Sequence, residues 1–250
     1  MRGYDERSYG EGFADVYDDW YRGVSDVDAT VDRMVSLAGP GGRVLELGVG
    51  TGRLAVPMAE AGLAVTGVDS SPAMLAKLAE RDRSGSVDVV CGDMVDELPD
   101  GPFDVALVAY NTIFNLLDEE TQRRCFAAVA ERLAPGGAFV VEAFVPDVAT
   151  HATTPTDVSV RSLSVDRVVL SVTVNTPDDQ RAEGQFVELT ETGGVRLRPW
   201  SIRWATPAQL DAMAAAAGLT LAERSEDMTM APFDDASAAH VSVYVTDATR

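Results

Sequence analysis

Cysteine and long apolar runs are scarce in this chain. Its two cysteines, Cys91 and Cys125, stand far apart in 250 residues. Each lies inside an apolar run, so we expect buried free thiols and no disulfide framework. No stretch approaches the roughly 18 uncharged apolar residues that span a membrane, and the opening residues MRGYDERSYGEGF lack the apolar core of a secretory signal. We therefore expect a cytoplasmic protein with no membrane partner.

Positive charge is also in short supply. The chain has 20 Lys and Arg against 40 Asp and Glu, a formal net charge of −20. A surface this negative repels phosphate backbones, and no cluster of basic residues offsets it locally, which argues against a nucleic-acid partner. The hydrophobic fraction of 46% is typical of a globular protein, and 250 residues fit one α/β domain with a modest insertion.

Short apolar runs and amphipathic stretches alternate from about residue 43. Near-continuous apolar strands separated by helices indicate a parallel sheet covered on both faces, so we predict a doubly wound α/β domain. The predicted strands are RVLEL from Arg43, LAVTGVD ending at Asp69, VDVVCGD, FDVALVAY and GAFVVEAF. Helices are predicted over about 53–61, from Ser71-Pro72 to about residue 82, and over about 118–133.

The pattern changes after about residue 150. Polar and apolar residues then alternate with a period of two, which predicts a small antiparallel β unit with one solvated face. A helix capped by Thr206 and ended by Gly218 follows, and two strands close the chain. The first 40 residues predict two helices, with aromatic residues crowded into the first: Phe13, Tyr17, Trp20 and Tyr21.

A glycine-rich turn follows the first predicted strand, with glycines at positions 48, 50 and 52. The backbone can approach a ligand closely where no side chain intervenes, and the helix that follows presents free N–H groups. A dinucleotide fingerprint would need Gly or Ala at the position that Arg53 occupies. The spacing therefore argues against a nicotinamide-dependent oxidoreductase.

Acidic and polar residues stand at the ends of the next predicted strands. Asp69 lies 21 residues after Gly48 and can accept hydrogen bonds from both hydroxyls of a ribose. The segment Gly92-Asp93-Met94 can meet an adenine amino group, and Ala109-Tyr110-Asn111 would form the floor beneath a reactive centre. Each feature alone is as often structural or merely solvated, but together they mark the edge where open α/β sheets bind ligands.

Together these motifs resemble those of the class I S-adenosylmethionine (SAM)-dependent methyltransferases, and the resemblance covers nearly the whole chain. Its segments are Glu46-Leu47-Gly48-Val49-Gly50-Thr51-Gly52, Val68-Asp69-Ser70-Ser71, Gly92-Asp93-Met94 and Leu133-Ala134-Pro135-Gly136-Gly137. The resemblance implies a Rossmann-like seven-stranded sheet, SAM as cofactor and S-adenosylhomocysteine as product. The cofactor-binding residues that it implies are Tyr17, Glu46, Gly48, Gly50, Gly52, Arg53, Asp69, Ser70, Met74, Gly92, Asp93, Met94, Ala109, Tyr110 and Asn111.

Other parts of the chain resemble particular branches of this family. Ala14-Asp15-Val16-Tyr17-Asp18 is similar to the A-x-x-Y-D helix of many small-molecule methyltransferases. The antiparallel insert is similar to that of amino-sugar N-methyltransferases and glycine/sarcosine-type enzymes. A single domain over 1–250 is implied, with an N-terminal helical lid at 1–40 and the SAM-binding core at 41–150. A substrate-side insert at 151–205 and a helix with a strand pair at 206–250 complete it.

The candidate catalytic residues are Tyr17, Tyr21, Asn115 and His151. Methyl transfer from a sulfonium is an in-line displacement in which positioning carries much of the rate. An amine acceptor needs only to arrive deprotonated, whereas an alcohol benefits from a general base. The two tyrosines lie four apart on one helix face, where they either form a lid over the sulfonium or simply pack the helix. Many relatives have histidine where this chain has Asn115, which puts a histidine base there in doubt.

The resulting expectation is SAM-dependent methyl transfer to a nitrogen, oxygen or carbon of a small molecule, as in antibiotic biosynthesis. The alternative keeps the SAM site without methyl donation, as a regulatory module or a SAM-assisted catalyst of another reaction. We expect no metal, because no clustered set of carboxylates is evident. Either a monomer or a homodimer is compatible with the sequence.

Overall fold

Two separate β-sheets organise the part of the chain that the computed structural model describes, residues 1–147 and 154–248. The strands are β1 (Arg43–Leu47), β2 (Ala64–Asp69), β3 (Val87–Cys91), β4 (Phe103–Val108), β5 (Leu133–Phe144), β6 (Thr156–Leu163), β7 (Arg167–Thr176), β8 (Arg181–Thr190), β9 (Gly194–Arg203), β10 (Thr220–Ser225) and β11 (Ala239–Val245). The larger sheet has seven strands in the order β10-β11-β5-β4-β1-β2-β3. Strands β1 to β5 are mutually parallel, and β11 runs antiparallel to β5 and β10. The predicted doubly wound, seven-stranded Rossmann-like fold is confirmed.

Helices cover both faces of the larger sheet. They are α1 (Ser8–Phe13), α2 (Tyr17–Trp20), α3 (Val27–Ala38), α4 (Ala55–Glu60), α5 (Pro72–Arg81), α6 (Glu119–Ala130) and α7 (Pro207–Ala216), with short 3₁₀ turns at Thr112–Asn115 and Pro177–Asp179. The predicted caps are present: Ser71 accepts from the N–H of Met74, and Thr206 forms a capping box with Gln209. Because successive strand side chains point to opposite faces, Leu45 and Val44 enter separate apolar cores.

Two predictions about the first half of the chain are wrong. The first 40 residues form three helical segments and not two, because the chain leaves the helical path between Phe13 and Tyr17. Cys91 is exposed, whereas Cys125 is buried as expected, and both are free thiols. The apolar run around Cys91 belongs to β3, which is the edge strand of the sheet and therefore lies partly open to solvent.

Strands β6 to β9 form the second sheet, a four-stranded antiparallel insert in that order, as the period-two pattern predicted. The prediction of one solvated face is confirmed, and the face that is left in solvent is the apolar one. The face that carries Phe186, Arg198 and Trp200 packs on the N-terminal helices. The opposite face is apolar and open, with Val160 60% and Leu197 57% exposed.

None of the helices within 1–147 and 154–248 is long and apolar enough to cross a membrane.

Candidate functional site

Two cavities meet at the glycine turn that follows β1. Among the residues that line the first are Tyr9, Tyr17, Gly48, Gly50, Asp69, Ser70, Met74, Gly92, Asp93, Met94, Thr112 and Asn115. Among those that line the second are Tyr17, Glu46, Gly48, Gly50, Arg53, Ala109, Tyr110 and Thr112. The structure thus brings together all the predicted cofactor-binding residues except Gly52 and Asn111.

The glycine turn places backbone and not side chains against both cavities. Gly48, Gly50 and Gly52 have φ of 70°, 55° and 73°, values in the left-handed region that glycine adopts most readily. A Cβ on Gly50 would meet no atom nearer than 3.9 Å, so the space that a side chain would fill belongs to the cavities. A Cβ on Gly52 would lie 2.9 Å from Leu78, so Gly52 serves the packing of the turn against α5.

Asp69 fixes the turn and faces the first cavity at the same time. Its Oδ2 accepts a hydrogen bond of 2.8 Å from the N–H of Gly50, and its Oδ1 one of 2.9 Å from the N–H of Ser71. Burial raises the pKa of this carboxyl, while the two backbone donors oppose that rise. Each carboxylate oxygen can accept a second hydrogen bond, so both remain able to bind hydroxyl groups from the cavity.

Asp93 is held rigidly at the far wall of the first cavity. Its Oδ1 accepts from the N–H groups of Val95 and Asp96 at 2.8 and 2.9 Å. Its own N–H donates to Glu97 at 2.8 Å. The carboxylate therefore keeps one orientation beside Met94, as a polar partner next to an apolar wall.

Glu46 is the notable ionisable residue of the second cavity. Only 4% of the residue is exposed, and its Oε2 has no hydrogen-bond partner among the described residues. Burial raises the pKa of this carboxyl to about 8, Arg53 opposes the rise and Asp69 adds to it. An unpartnered buried carboxyl beside a cavity fits a ligand that brings its own positive charge or donor.

Asn111 does not face either cavity. Its N–H donates to the carbonyl of Glu142, and its Oδ1 accepts from the N–H of Phe144 at 2.6 Å. Beside it, the N–H of Tyr110 donates to the carboxylate of Glu142 at 2.8 Å. Tyr110 and Asn111 both have positive φ, 45° and 66°, a strained conformation for these residues. Asn111 therefore holds the loop after β4 against the end of β5, which a motif alone does not reveal.

The tyrosines predicted as catalytic form a contiguous aromatic cluster. The rings of Tyr17 and Tyr21 lie 4.8 Å apart, and Tyr21 contacts Tyr110 edge-on at 5.8 Å. Tyr17 lines both cavities, whereas Tyr21 is buried behind it. Burial raises the pKa of Tyr17 well above its usual value, so its hydroxyl can donate a hydrogen bond but cannot serve as a base at neutral pH.

The other two predicted catalytic residues and the second histidine lie elsewhere. Asn115 borders the first cavity, beside Met94 and Leu116, and not the second. His151 lies outside the described residues. His240 is buried on β11, with its Nδ1 2.9 Å from the hydroxyl of Ser242, and it lines neither cavity.

The N-terminal segment, which belongs to the predicted lid over 1–40, roofs the first cavity, but Tyr17 is the only one of its residues that was predicted to line a cofactor site. Tyr4, Asp5, Glu6, Tyr9 and Gly10 all line it. The segment is fastened to the start of α5, where a carboxylate oxygen of Glu11 accepts from the hydroxyl of Ser71 at 3.0 Å. The two tyrosines, Tyr4 and Tyr9, stand in an otherwise polar stretch, and that pattern alone does not identify them as residues that line a cavity.

No group of His, Cys, Asp and Glu that could hold a metal ion occurs within the described ranges.

Comparison with known proteins gives a consistent result. A family model described as a methyltransferase domain matches residues 44–137. The cypemycin N-terminal methyltransferase of a Streptomyces species is 32% identical over 181 residues, which cover 72% of this chain and 73% of that protein. The CcbJ methyltransferase of Streptomyces caelestis is 38% identical with a TM-score of 0.89, over 98% of this chain and 100% of that one.

A more distant structure shares the fold. SAM-bound CalS10 from Micromonospora echinaspora, an amino pentose methyltransferase of calicheamicin biosynthesis, is 23% identical. Its TM-score is 0.67, over 92% of this chain and 96% of that one.

Proposed function

The chain belongs to the SAM-dependent methyltransferases, and from that premise we propose that it methylates an amine nitrogen of a small natural-product acceptor. SAM is its cofactor. The observation that carries the choice of nitrogen is the tyrosine cluster at the second cavity. Its member on the cavity wall, Tyr17, has a hydroxyl that burial keeps protonated. An amine brings its own lone pair and requires no base at this position.

The residues that line the two cavities match the successive chemical groups of SAM, from its ribose and adenine to its amino acid part. Asp69 accepts hydrogen bonds from the ribose hydroxyls, and Asp93 with Met94 holds the adenine. The carboxylate of Glu46 pairs with the ammonium group of the amino acid part, and Arg53 with its carboxylate. When bound, SAM supplies a methyl group on a positively charged sulfur, and Tyr17 presents an aromatic face to that charge.

Relatives support an amine acceptor. One that is 32% identical carries the name of an N-terminal methyltransferase, and a neighbour in fold is an amino pentose methyltransferase. The net charge of −20 also disfavours the approach of an anionic acceptor such as a phenolate. The half-buried Glu142 already binds the N–H of Tyr110 through its carboxylate, and we assign it to the floor of the site and not to the acceptor.

The experiment uses pairs of acceptors that differ only by an amine in place of a hydroxyl. We expect the amine member to gain one methyl group with one equivalent of S-adenosylhomocysteine formed, both measured by mass spectrometry. Methylation of the hydroxyl member alone would refute the choice of nitrogen. Binding of SAM with no product from any acceptor would favour the non-methylating alternative.

The cofactor site has its own test, Asp69→Ala. We expect SAM binding measured by calorimetry to weaken by about 10-fold or more, since removal of a buried hydrogen-bonding carboxylate costs ~1.5–3 kcal/mol. The control is Asp88→Ala, which removes the same group from an exposed position of β3 and should leave binding unchanged. Equal affinities in the two variants would contradict the assignment of Asp69.

A further inference from the structure

The open face of the insert sheet, here called the outer face, is an apolar surface built from all four strands. Its exposed residues include Val158 at 65% and Val160 at 60% on β6, Leu189 at 37% on β8, and Val195 at 65% and Leu197 at 57% on β9. The register makes this surface continuous, because Val160 lies opposite Leu170, which lies opposite Val187, which lies opposite Leu197.

Charge is absent from the most exposed rows of this surface although the chain is rich in it. The chain has 24% charged residues and a net charge of −20. Yet the three cross-strand rows that begin at Val158, Val160 and Leu163 contain aliphatic residues, one proline and one glutamine. The charged side chains of the same strands, such as Arg198 and Glu188, point to the other face and pair with each other. An uncharged face of this kind is unusual for a sheet that remains in water.

The outer face is large enough for a specific protein contact. Strands lie about 4.8 Å apart and rise about 3.4 Å per residue, so four strands along the length of β6 measure roughly 19 by 27 Å. That footprint is about 500 Å², or about 1,000 Å² over two such faces, and protruding side chains add to it. A total of about 1,000 Å² is the area at which a specific interface begins.

We propose that two copies of this chain pack through their outer faces as a two-fold homodimer. Like charges of −20 on each copy oppose contact through the acidic surface, so an uncharged face is the surface through which two copies can approach. A flat apolar sheet is complementary to itself, and two sheets stack at about 10 Å with interdigitated side chains. Homodimer interfaces are also more apolar than transient ones.

Within the described residues, the chain itself does not cover the outer face. Met1 reaches only its inner end, where the N-terminal amine pairs with Glu183 and its sulfur accepts from Gln185. The rows that begin at Val160 and Leu163 lie beyond these contacts, toward the turns that join β6 to β7 and β8 to β9. This inference depends on the sheet alone and not on the proposed reaction, so the two fail independently.

The test is the mass in solution by light scattering and sedimentation over a range of concentrations. We expect the wild type to have twice the 26.6 kDa of one chain. Leu197→Glu and Val160→Glu place a charge on the outer face and should raise the dissociation constant of the dimer at least 10-fold. The matched control is Val89→Glu, which adds the same charge at a residue that is 42% exposed on β3 and should stay dimeric.

Three results would overturn the proposal. They are a single-chain mass for the wild type at all concentrations, a dimer that survives both outer-face variants, and dissociation of the control. Circular dichroism and SAM binding establish that each variant is folded. If a glutamate variant does not fold, Leu197→Ser takes its place, because an uncharged polar side chain at an exposed position disturbs folding less. The same three results would then overturn the proposal.

Discussion

Replacement of Glu46 with glutamine tests the charge state of the buried carboxyl in the second cavity. Glu46 is 4% exposed and its Oε2 lacks a hydrogen-bond partner among the described residues. Burial is the main cause that raises its pKa to about 8; Arg53 lowers it and Asp69 raises it further. With a pKa of about 8, roughly nine in ten molecules carry the neutral carboxyl at pH 7.

Cofactor binding should therefore release a proton. The ammonium group of SAM pairs with a carboxylate and not with a neutral carboxyl, so binding draws Glu46 into its charged form. Between pH 6 and pH 7 the affinity should rise about 10-fold, and the rise should flatten as the pH approaches 8. In Glu46→Gln this dependence should vanish, and the affinity at pH 7.5 should fall about 10-fold with the loss of a charged hydrogen bond.

The assay is titration calorimetry between pH 6 and 7.5 in two buffers of different ionisation enthalpy, which counts the protons released. Over this range most of the α-amino group of SAM stays protonated, since such groups titrate near 8. The control ligand is 5′-methylthioadenosine, which lacks the amino acid part and should bind both proteins equally at every pH. A wild-type affinity that is independent of pH, with no proton released, would refute the reasoning.

The same carboxyl predicts the pH dependence of stability in the free protein. Its pKa in the folded state, about 8, lies above the ordinary value of 4.5, so between these values the folded state holds a proton that the unfolded state has lost. The stabilisation from this bound proton is fully present below pH 4.5, declines as the pH rises and is lost above about 8. Denaturant titrations should show this decline in the wild type and a smaller one in Glu46→Gln.

Two further pairs of variants test how the N-terminal segment is held. Gly10→Ala should lower the melting temperature and weaken SAM binding, because its Cβ would lie 2.3 Å from that of Ser71, whereas Gly12→Ala meets nothing nearer than 3.5 Å and should be neutral in both assays. Arg198→Ala should lower the free energy of unfolding in urea by about 3 kcal/mol, because it strips a buried partner from two carboxylates. Arg196→Ala, which removes a 57% exposed partner, should cost less than about 1 kcal/mol. Equal effects of Gly10→Ala and Gly12→Ala, or equal losses of unfolding free energy in Arg198→Ala and Arg196→Ala, would contradict this account of how the N-terminal segment is packed.

Local sequence patterns were sufficient for the larger sheet and for many of the residues that line the two cavities. Apolar runs predict parallel strands because both faces of such a sheet are covered. The glycine turn and Asp69 were found because each stands at the end of a strand, where the fold itself brings ligand-binding residues together. Ser71 and Thr206 were recognised as caps because capping depends only on residues three positions away.

Contacts between distant parts of the chain left no comparable pattern. The roof of the first cavity is held by a hydrogen bond between Glu11 and Ser71, which lie 60 residues apart. The sequence around either residue contains no pattern that predicts this contact. Cys91 lies in an apolar run like those of the central strands, and only the strand order makes its strand an edge. Asn111 was predicted to contact the cofactor, but its side-chain oxygen accepts a hydrogen bond from the backbone N–H of Phe144 and lines neither cavity. This contact also joins distant parts of the chain and leaves no local pattern.

The insert sheet shows why a period of two does not decide which face is covered. The alternation of polar and apolar residues predicts one apolar and one polar face, and the apolar face of such a sheet usually packs against the protein core. Here the face of mixed polarity is covered instead, because Phe186 packs on aromatic residues of the N-terminal helices and Arg198 is neutralised by Asp15 and Glu188. Burial of a charge is tolerated when it is paired and hydrogen-bonded. The apolar face is then left in solvent, where each Å² costs about 25 cal/mol until a partner covers it, and this cost is the driving force for the proposed dimer.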